Sequence, residues 1–337
     1  MRVGTLCFAT TRGLGYLAKS FYDNGIVTDF AILHHGRLET HTEWYPGALQ
    51  ITRKPFLCDE LKEFILHMDV MLFFETPFDW DILDFCKQNG VKTAIISMYE
   101  CTPKQRKYEP DQWWCPSELD MDYFTERGVR VYIPSDGVTW RERNTATTFV
   151  HNAGHIGLKG RNGTEQLMLA LPYVQSDAKF VIRCQDTNGF DRMIRRHPEI
   201  IGNQNVTLVR EGVPRSEIWA TGDVALQPEK WNGMSYPLQE AYASGLLVMT
   251  TKRYPMTEWL PEDPMIKVQA TRTQSVAGYC YDFEESLLDP IDIADTVDEW
   301  YGRDITSYSL LGKQWARENS WHVLKPGYKQ LLEELVG

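Results

Sequence analysis

A glycine-rich stretch with two cations, HNAGHIGLKGRNGTEQL, starts at His151 and runs from an apolar strand pattern into a helical pattern. Its turn carries Lys159 and Arg161 among glycines. Backbone N–H groups of a short glycine turn at a helix start attract anions, and the two side chains would add full positive charges. The stretch therefore predicts a phosphate site, with a plain strand-to-helix turn as the alternative.

A second glycine turn follows the first predicted strand, in ATTRGLGYLAKSF. Arg12, Gly13 and Gly15 lie between this strand and the next helical pattern. The same two interpretations apply: the turn binds a charged ligand, or it only joins a strand to a helix. Two such turns on facing domains would approach one charged ligand from both sides.

The elements that must position these turns form an alternating series. Apolar runs that predict strands alternate with helical patterns, which indicates parallel sheets covered by helices on both faces. The predicted strands are residues 3–8, 30–33, 70–74, 93–96, 129–133, 149–152, 180–183, 206–209, 224–226, 247–250 and 265–268.

Two such series, separated near the polar stretch RERNTATT, predict two Rossmann-like, doubly wound α/β domains at residues 1–145 and 146–305. Residues 306–337 have a helical pattern, and we expect them to pack back on the N-terminal domain. Ligands of such sheets bind beyond the carboxyl ends of the strands. We therefore expect the two domains to face each other across a cleft that holds the ligand.

The composition narrows the functional classes. The 337 residues carry a net charge of −11, which disfavours long polyanionic partners. Seven scattered cysteines without a C-x-x-C pair argue against a disulfide framework or a zinc site and favour a reducing compartment. No stretch reads as a signal peptide or reaches the roughly 18 apolar residues of a membrane span. We expect a cytoplasmic protein.

The most specific stretch is NGMSYPLQEAYASG, from Asn232 to Gly245. Pro237 suits the first turn of a helix and Gly245 the position just after its end, so a very short helix is predicted. Glu240 lies near the start of that helix, where the helix dipole favours a carboxylate. The dipole alone would give Glu240 a structural explanation.

This stretch resembles the signature E-G-F-G-L-P-x-x-E-A-x-A-x-G of glycosyltransferase family 4, whose members have the GT-B fold. The matching residues are Pro237, Glu240, Ala241, Ala243 and Gly245. The stretch from His151 resembles the family's phosphate loop, and WWCPSELDMDYFTERGVRVYIPSDGV resembles the segment that closes its first domain. ETPFDWDILDFCKQNGVKTAIISMYECTP resembles short members, many of them from bacteriophages.

The resemblance implies a role for each part of the pattern. Glu240 would accept hydrogen bonds from the ribose hydroxyls of a nucleotide sugar, and Lys159 or Arg161 would neutralise the leaving diphosphate. The sugar and diphosphate would lie along the turn before the short helix, formed by Asn232, Gly233, Met234 and Ser235. The nucleobase would lie near the loop that follows Val209.

Two positions depart from the family pattern. Asn232 replaces the first glutamate of the signature, so donor choice or catalytic competence depends on that change. Asn162 stands where the family's phosphate lysine belongs, so Lys159 or Arg161 must replace that lysine from a nearby position. Arg183, at the end of a predicted strand, is a further cation candidate, and a surface arginine is the alternative.

The predicted function is transfer of a sugar from a nucleoside-diphosphate sugar to an acceptor hydroxyl, with retention of anomeric configuration as the resemblance implies. We expect no metal, because cations and helix N–H groups would stabilise the leaving phosphate. The D-x-D sequence at Asp79 and Asp81 is interpreted as a helix cap. Glu100 would position or deprotonate the acceptor, with a structural carboxylate as the alternative. Further acceptor-side candidates are Arg12, Tyr99, His34 and His35.

The acceptor stays open in the sequence. Phage-like family members include enzymes that glycosylate hydroxymethylated pyrimidines in DNA, so a modified DNA base is one candidate, in the host cytoplasm if the protein is phage-encoded. A saccharide, a lipid-linked acceptor or a small molecule fits equally. Two other classes remain: a nucleotide-sugar epimerase with the GT-B fold, and a nucleotide-sugar-binding protein without transfer activity, which Asn232 permits.

Overall fold

The computed structural model describes residues 1–337 except 35, 37–38, 53–55, 125, 155–159, 185–186, 198–199, 201 and 277–280, and it describes only the backbone of 187–190, 276 and 281. The chain divides into two α/β units. Unit 1 comprises Met1–Pro134, Val276–Tyr281 and Trp321–Gly337, and unit 2 comprises Ser135–Ser275 and Asp282–Ser320.

Unit 1 opens with alternating strands and helices. They are β1 (Val3–Phe8), α1 (Gly13–Asp23), β2 (Asp29–Leu33), β3 (Leu49–Ile51), α2 (Asp59–Leu66), β4 (Val70–Glu75), α3 (Asp81–Gln88), β5 (Lys92–Ser97), β6 (Gln112–Cys115), α4 (Glu118–Tyr123) and β7 (Gly128–Arg130). The seven strands form one parallel sheet in the order β3-β2-β1-β4-β5-β6-β7.

Unit 2 continues the pattern. Its elements are β8 (Thr148–Gly154), α5 (Thr164–Ala170), β9 (Lys179–Cys184), α6 (Thr187–Arg196), β10 (Val206–Val209), β11 (Val224–Gln227), α7 (Tyr236–Ala243), β12 (Leu247–Thr250), the hairpin strands β13 (Ala270–Val276) and β14 (Tyr281–Leu287), α8 (Pro290–Trp300) and α9 (Thr306–Glu318). Five strands form a parallel sheet in the order β10-β9-β8-β11-β12. The final helix, α10 (Trp321–Val336), belongs to unit 1.

The central strands of unit 1 are apolar, as is typical of parallel strands that helices cover on both faces. In β4 all five residues before Glu75 are buried. The last helix contributes to this core through Tyr328, whose ring centroid lies 4.9 Å from that of Phe21 and 5.4 Å from that of Trp114. The Tyr328 hydroxyl donates to the carbonyl of Tyr132 at 2.7 Å, so the buried ring also satisfies its polar end.

The unit boundaries differ from the predicted domains for reasons of hydrogen bonding and packing. Unit 1 ends at Pro134 rather than near 145, because the following segment binds unit 2: the Arg141 N–H donates to the Ser244 carbonyl at 3.1 Å. Helix α9 belongs to unit 2 rather than unit 1. A β-carbon on Gly312 of α9 would lie 2.3 Å from the Tyr242 carbonyl oxygen, so α9 packs directly on α7.

Most predicted strands are confirmed, and the exceptions have local causes. The strand predicted at 265–268 is wrong, since the structure has only an isolated bridge between Thr251 and Ile266 there. The strands β3, β6, β13 and β14 were not predicted. β13 is largely exposed, so its sequence ATRTQSV lacks the apolar residues that mark a buried strand.

None of the described helices is long and apolar enough to cross a lipid bilayer.

The turn between β1 and α1 depends on a single glycine. A β-carbon on residue 15 would lie 2.1 Å from the carbonyl oxygen of Thr10, whereas a β-carbon on residue 13 would meet nothing within 4 Å. Gly15 therefore lets the first turn of α1 rest on the backbone of the preceding loop. This gives Gly15 a packing role whether or not the turn binds a ligand.

We expect Gly15→Ala to destabilise the protein by about 1–3 kcal/mol, because the added methyl group must displace backbone atoms. Gly13→Ala is the matched control and should change stability by less than about 1 kcal/mol, in the stabilising direction. Urea unfolding midpoints measure both. Equal effects of the two substitutions would contradict the packing role.

Candidate functional site

The two motifs that the sequence singled out lie against each other in unit 2. They follow β8 and β11, which are neighbouring parallel strands, so their carboxyl ends share one edge of the sheet. We call residues 160–163 the glycine turn and residues 232–235 the signature turn. The glycine turn rests on Pro228, directly after β11, whose carbonyl oxygen would stand 1.9 Å from a β-carbon on Gly163. Only a glycine at 163, at φ 69°, permits this approach.

Arg161 joins the two segments through both its backbone and its side chain. Its carbonyl accepts a hydrogen bond from the Lys230 N–H at 2.7 Å. Its guanidinium carbon lies 5.5 Å from the ring centroid of Trp231, and that indole stacks on Phe283 at 3.9 Å. The predicted cation at 161 is thus fixed beside the signature segment. Lys159, the other predicted cation, lies outside the described residues.

A buried polar chain holds the glycine turn to β8. The imidazole Nδ1 of His151 donates to the Leu226 carbonyl at 2.9 Å, which leaves Nε2 facing the Thr164 hydroxyl at 2.8 Å. The Asn162 amide donates to the Ala153 carbonyl at 2.6 Å. Asn162, which replaces the family's lysine, therefore has a positioning role in the turn that follows the strand.

The signature turn is held in a conformation that most residues avoid. Ser235 precedes helix α7 at φ 48° and ψ 69°, in the left-handed region. Its hydroxyl donates to the Glu229 carboxylate at 2.8 Å, and Asn232 Nδ2 lies 3.2 Å from both oxygens of the same carboxylate. Non-glycine residues in this region are strained and concentrate at functional sites. Gly233 donates to the Asn232 side chain at 3.0 Å, which closes the turn.

Glu229 is a site residue that the sequence patterns did not indicate. It is buried, and burial raises the pKa of its carboxyl, while the charges of Arg161 and Arg253 act in the opposite direction. Arg253 also donates to the Asn232 carbonyl at 2.9 Å. The signal in the sequence that could have indicated it is a glutamate two residues after the apolar strand β11.

Glu240, the predicted ribose ligand, is paired with an arginine that the sequence did not reveal. Arg215 Nε donates to Glu240 Oε1 at 2.7 Å, and Arg215 Nη2 donates to the Tyr236 hydroxyl at 2.5 Å. Asp136 lies 3.7 Å from the same guanidinium. Only 6% of Glu240 is exposed, and burial raises the pKa of its carboxyl, against the pull of Arg215. Arg215 comes from the loop after β10, so its spacing to Glu240 follows no local pattern.

No protein-family model matches the sequence, and no curated protein matches it. Solved structures do match. Sucrose-phosphate synthase from Thermosynechococcus elongatus has a TM-score of 0.70 and 12% identity over 99% of both chains. Anabaena HepE in complex with UDP and glucose has a TM-score of 0.67 and 11% identity over 99% of both chains. A glycosyltransferase from Rickettsia africae has a TM-score of 0.66 and 12% identity over 99% of this chain and 98% of its own.

The chain has the GT-B fold. At this level of identity the likeness concerns the fold and not the activity. The sequence predicts that the nucleotide sugar binds in the second Rossmann-like unit. Unit 2 carries both the glycine turn and the signature turn.

Two further predicted residues of this GT-B unit have structural partners. Arg183 is 8% exposed, donates to the Thr221 hydroxyl at 2.7 Å and to the Glu217 carbonyl at 3.3 Å, and so is not a surface arginine. It braces the segment that begins at Arg215. Met234 is buried, and its carbonyl accepts from Gln239 at 3.0 Å, which ties the signature turn to α7.

The acceptor-side candidates of unit 1 lie at the carboxyl ends of its strands. Glu100, in a 3-10 turn after β5, is 1% exposed. The neighbouring Asp120 accepts from the Tyr99 N–H at 2.9 Å, and burial, with the charge of Glu100 in addition, raises the pKa of Asp120 to about 7. Arg12, next to Gly13, has a buried Nε without a hydrogen-bond partner among the described residues.

The remaining candidates have simpler surroundings. His34 Nε2 lies 3.0 Å from Gln50 Oε1, and His35 lies outside the described residues. Asp79 accepts from the Asp81 N–H at 3.1 Å at the start of α3, as a helix cap does. Within the ranges that the structure describes, no three His, Cys, Asp or Glu residues are grouped as metal ligands. That the reaction needs no metal stays a prediction.

The buried imidazole of His151 predicts a pH dependence of stability. Burial lowers its pKa to about 4 from the ordinary 6.5. The unfolded chain binds this proton near pH 6.5 and the folded chain does not, so stability falls as the pH drops from about 6.5 and stops falling near 4. The loss should reach about 3 kcal/mol.

Chemical denaturation of wild type and His151→Gln between pH 7.5 and 4 measures this contribution. The variant lacks the titrating ring, so the stability difference between the two proteins should shrink as the pH falls. A difference that stays constant across this range would show that His151 is not held neutral.

Proposed function

We propose that this protein transfers a sugar from a nucleoside-diphosphate sugar to an acceptor hydroxyl. The observation that carries the proposal is the packing of the glycine turn against the signature segment, which places Arg161 beside the turn that leads to Glu240. Two structures of the neighbour Anabaena HepE support it, one in complex with UDP and glucose and one in complex with UDP-glucose.

In the proposed reaction, the bond between the anomeric carbon and the diphosphate oxygen breaks, and a bond to the acceptor oxygen forms. The electron pair leaves with the nucleoside diphosphate, so negative charge grows on its phosphate oxygens. The guanidinium groups of Arg161 and Arg253 are the described cations that would stabilise this charge without moving. The acceptor hydroxyl loses its proton, and Glu100 is the candidate to take it.

Arg215 makes Glu240 suitable for binding ribose. It fixes one oxygen of the carboxylate at 2.7 Å, so the side chain cannot rotate freely. The second oxygen would accept from the ribose hydroxyls, because a carboxylate has several lone pairs and one guanidinium does not use them all. Binding of the ribose would cost little side-chain entropy, since the Glu240 carboxylate is already ordered.

The stereochemistry of the transfer and the identity of the acceptor are the next questions about the reaction. Retention of configuration, a bacteriophage origin and action in a host cytoplasm stay predictions from the resemblance. A hydroxymethylated pyrimidine in DNA and a saccharide hydroxyl are the two acceptor classes to compare, with the net charge of −11 disfavouring the nucleic acid. Donor binding without turnover would instead indicate a binding protein, which the Asn232 replacement permits.

We expect Arg161→Ala to weaken the binding of UDP-glucose at least about tenfold, since hydrogen bonds to charged groups contribute about 1.5–3 kcal/mol. The same variant should bind uridine as the wild type does, because uridine has no phosphate. Competition measurements by ligand-observed NMR report both affinities. An equal loss for uridine would mean that the substitution disturbs the whole pocket.

Glu240→Gln separates the ribose contact from the phosphate contact. It should weaken uridine and UDP-glucose alike, by about tenfold, because both ligands carry the ribose. Glu217→Gln is the matched control, since Glu217 is a half-exposed carboxylate on the same 3-10 turn as Arg215. Unchanged uridine binding in Glu240→Gln would remove Glu240 from the ribose site.

Transfer itself is measured by mass spectrometry with UDP-glucose and two acceptor panels, an oligonucleotide with hydroxymethylcytosine and a set of simple glycans. We expect one hexose to be added, and the proton NMR coupling of the new anomeric centre should show the α configuration of the donor. A β product would contradict retention, while the absence of product with intact donor binding would favour the binding protein.

A further inference from the structure

Glu229 is a buried carboxylate at the base of the signature turn, and the proposed reaction gives it no role. Only 3% of the residue is exposed. Ser235 Oγ donates to its Oε1 at 2.8 Å, and Asn232 Nδ2 lies 3.2 Å from both of its oxygens. Both partners donate, and neither an amide N–H nor this hydroxyl requires a proton on the carboxylate. The contacts therefore suit its ionised form.

The carboxylate belongs to the charge cluster that is proposed to hold the diphosphate. Burial raises the pKa of the Glu229 carboxyl, whereas the charges of Arg161 from the glycine turn and Arg253 from the loop after β12 favour its charged form. Arg253 also reaches the Asn232 carbonyl at 2.9 Å. Glu229 thus sets one negative charge against two positive ones, directly beside the turn along which the sugar would lie.

A second buried carboxylate in the same unit shows a different arrangement. Glu285 on β14 is also 3% exposed, and it forms ion pairs with Lys230 at 2.7 Å and with Arg272 at 2.6 Å. The Lys230 pair ties the hairpin of β13 and β14 to the segment before the signature turn, and the Arg272 pair joins the two strands of the hairpin. The partners of Glu285 are Lys230 and Arg272, which lie outside the signature turn. The hydrogen-bond partners of Glu229 are Asn232 and Ser235, which form that turn. Glu285 is therefore a matched reference for Glu229.

We propose that Glu229 is a specificity-determining residue that restricts the site to donors with an uncharged sugar and rejects sugars that carry a carboxylate. The inference rests on the proposed donor site. Sugar hydroxyls can donate to the Glu229 carboxylate. A sugar carboxylate would meet like-charge repulsion there, and in a buried site water screens that repulsion poorly.

The charges of Arg161 and Arg253 determine how a change at Glu229 should alter the choice of donor. With Glu229 present, part of their positive charge is offset and the diphosphate uses the rest. If residue 229 is a neutral glutamine, Arg161 and Arg253 keep their charge and would attract a sugar carboxylate. The substitution should therefore not simply weaken every donor, as a collapsed turn would. It should weaken the preference for an uncharged sugar or reverse it.

The test compares three ligands on the full chain by calorimetry: UDP, UDP-glucose and UDP-glucuronic acid. Wild type should bind UDP-glucose at least about tenfold more tightly than UDP-glucuronic acid. Glu229→Gln should bring this ratio to within about threefold of one, while the Kd of UDP changes by less than about threefold. Glu285→Gln, the matched control, should keep the wild-type ratio.

The outcomes separate this inference from the proposed function. If wild type binds none of the three ligands, the donor site itself is refuted. If it binds UDP but the two sugar nucleotides equally, or if Glu229→Gln keeps the wild-type ratio, only the role of Glu229 is overturned. Should Glu229→Gln not fold, Asn232→Asp replaces it: a second charge 3.2 Å from Glu229 should widen the ratio, and an unchanged ratio overturns the role.

Discussion

The candidate site depends on one close approach, in which the glycine turn rests on the backbone of Pro228. A β-carbon at residue 163 would stand 1.9 Å from the Pro228 carbonyl oxygen, so any other residue would push the two loops apart. The contact brings Arg161 over Trp231 and lets Lys230 bond to the Arg161 carbonyl. The contact between Gly163 and Pro228 thus places the Arg161 cation beside the segment that leads into the signature turn.

Buried charge is the second feature on which the site depends. Glu229, Glu240 and Glu285 are each nearly inaccessible, and each has at least one arginine acting on it. Taking a carboxylate out of water is unfavourable, and removing a single partner leaves a charge uncompensated. The partners of these carboxylates therefore restrict where each charged side chain can lie. A site ordered before the ligand arrives needs little rearrangement to bind it.

Much of the fold followed from the sequence, and the failures had several causes. The alternation of apolar runs and helical patterns predicted parallel sheets, and most strands were located correctly. The exposed strand β13 escaped, because periodicity detects burial and this strand has little of it. The boundary near 145 was misplaced for a related reason: the segment from Ser135 is polar like a linker, but its backbone bonds to unit 2 through contacts such as Arg141 with Ser244.

The sequence by itself determined the class of the fold and the two loops of the site, because strand–helix alternation and the spacing of glycine and proline are local properties. Only the tertiary structure decided which charges balance one another. Arg215 and Glu240 lie 25 residues apart, and Arg161 and Glu229 lie on loops joined only because β8 runs next to β11. Strand order is set by the packing of the whole sheet, so no local pattern could have disclosed these pairs.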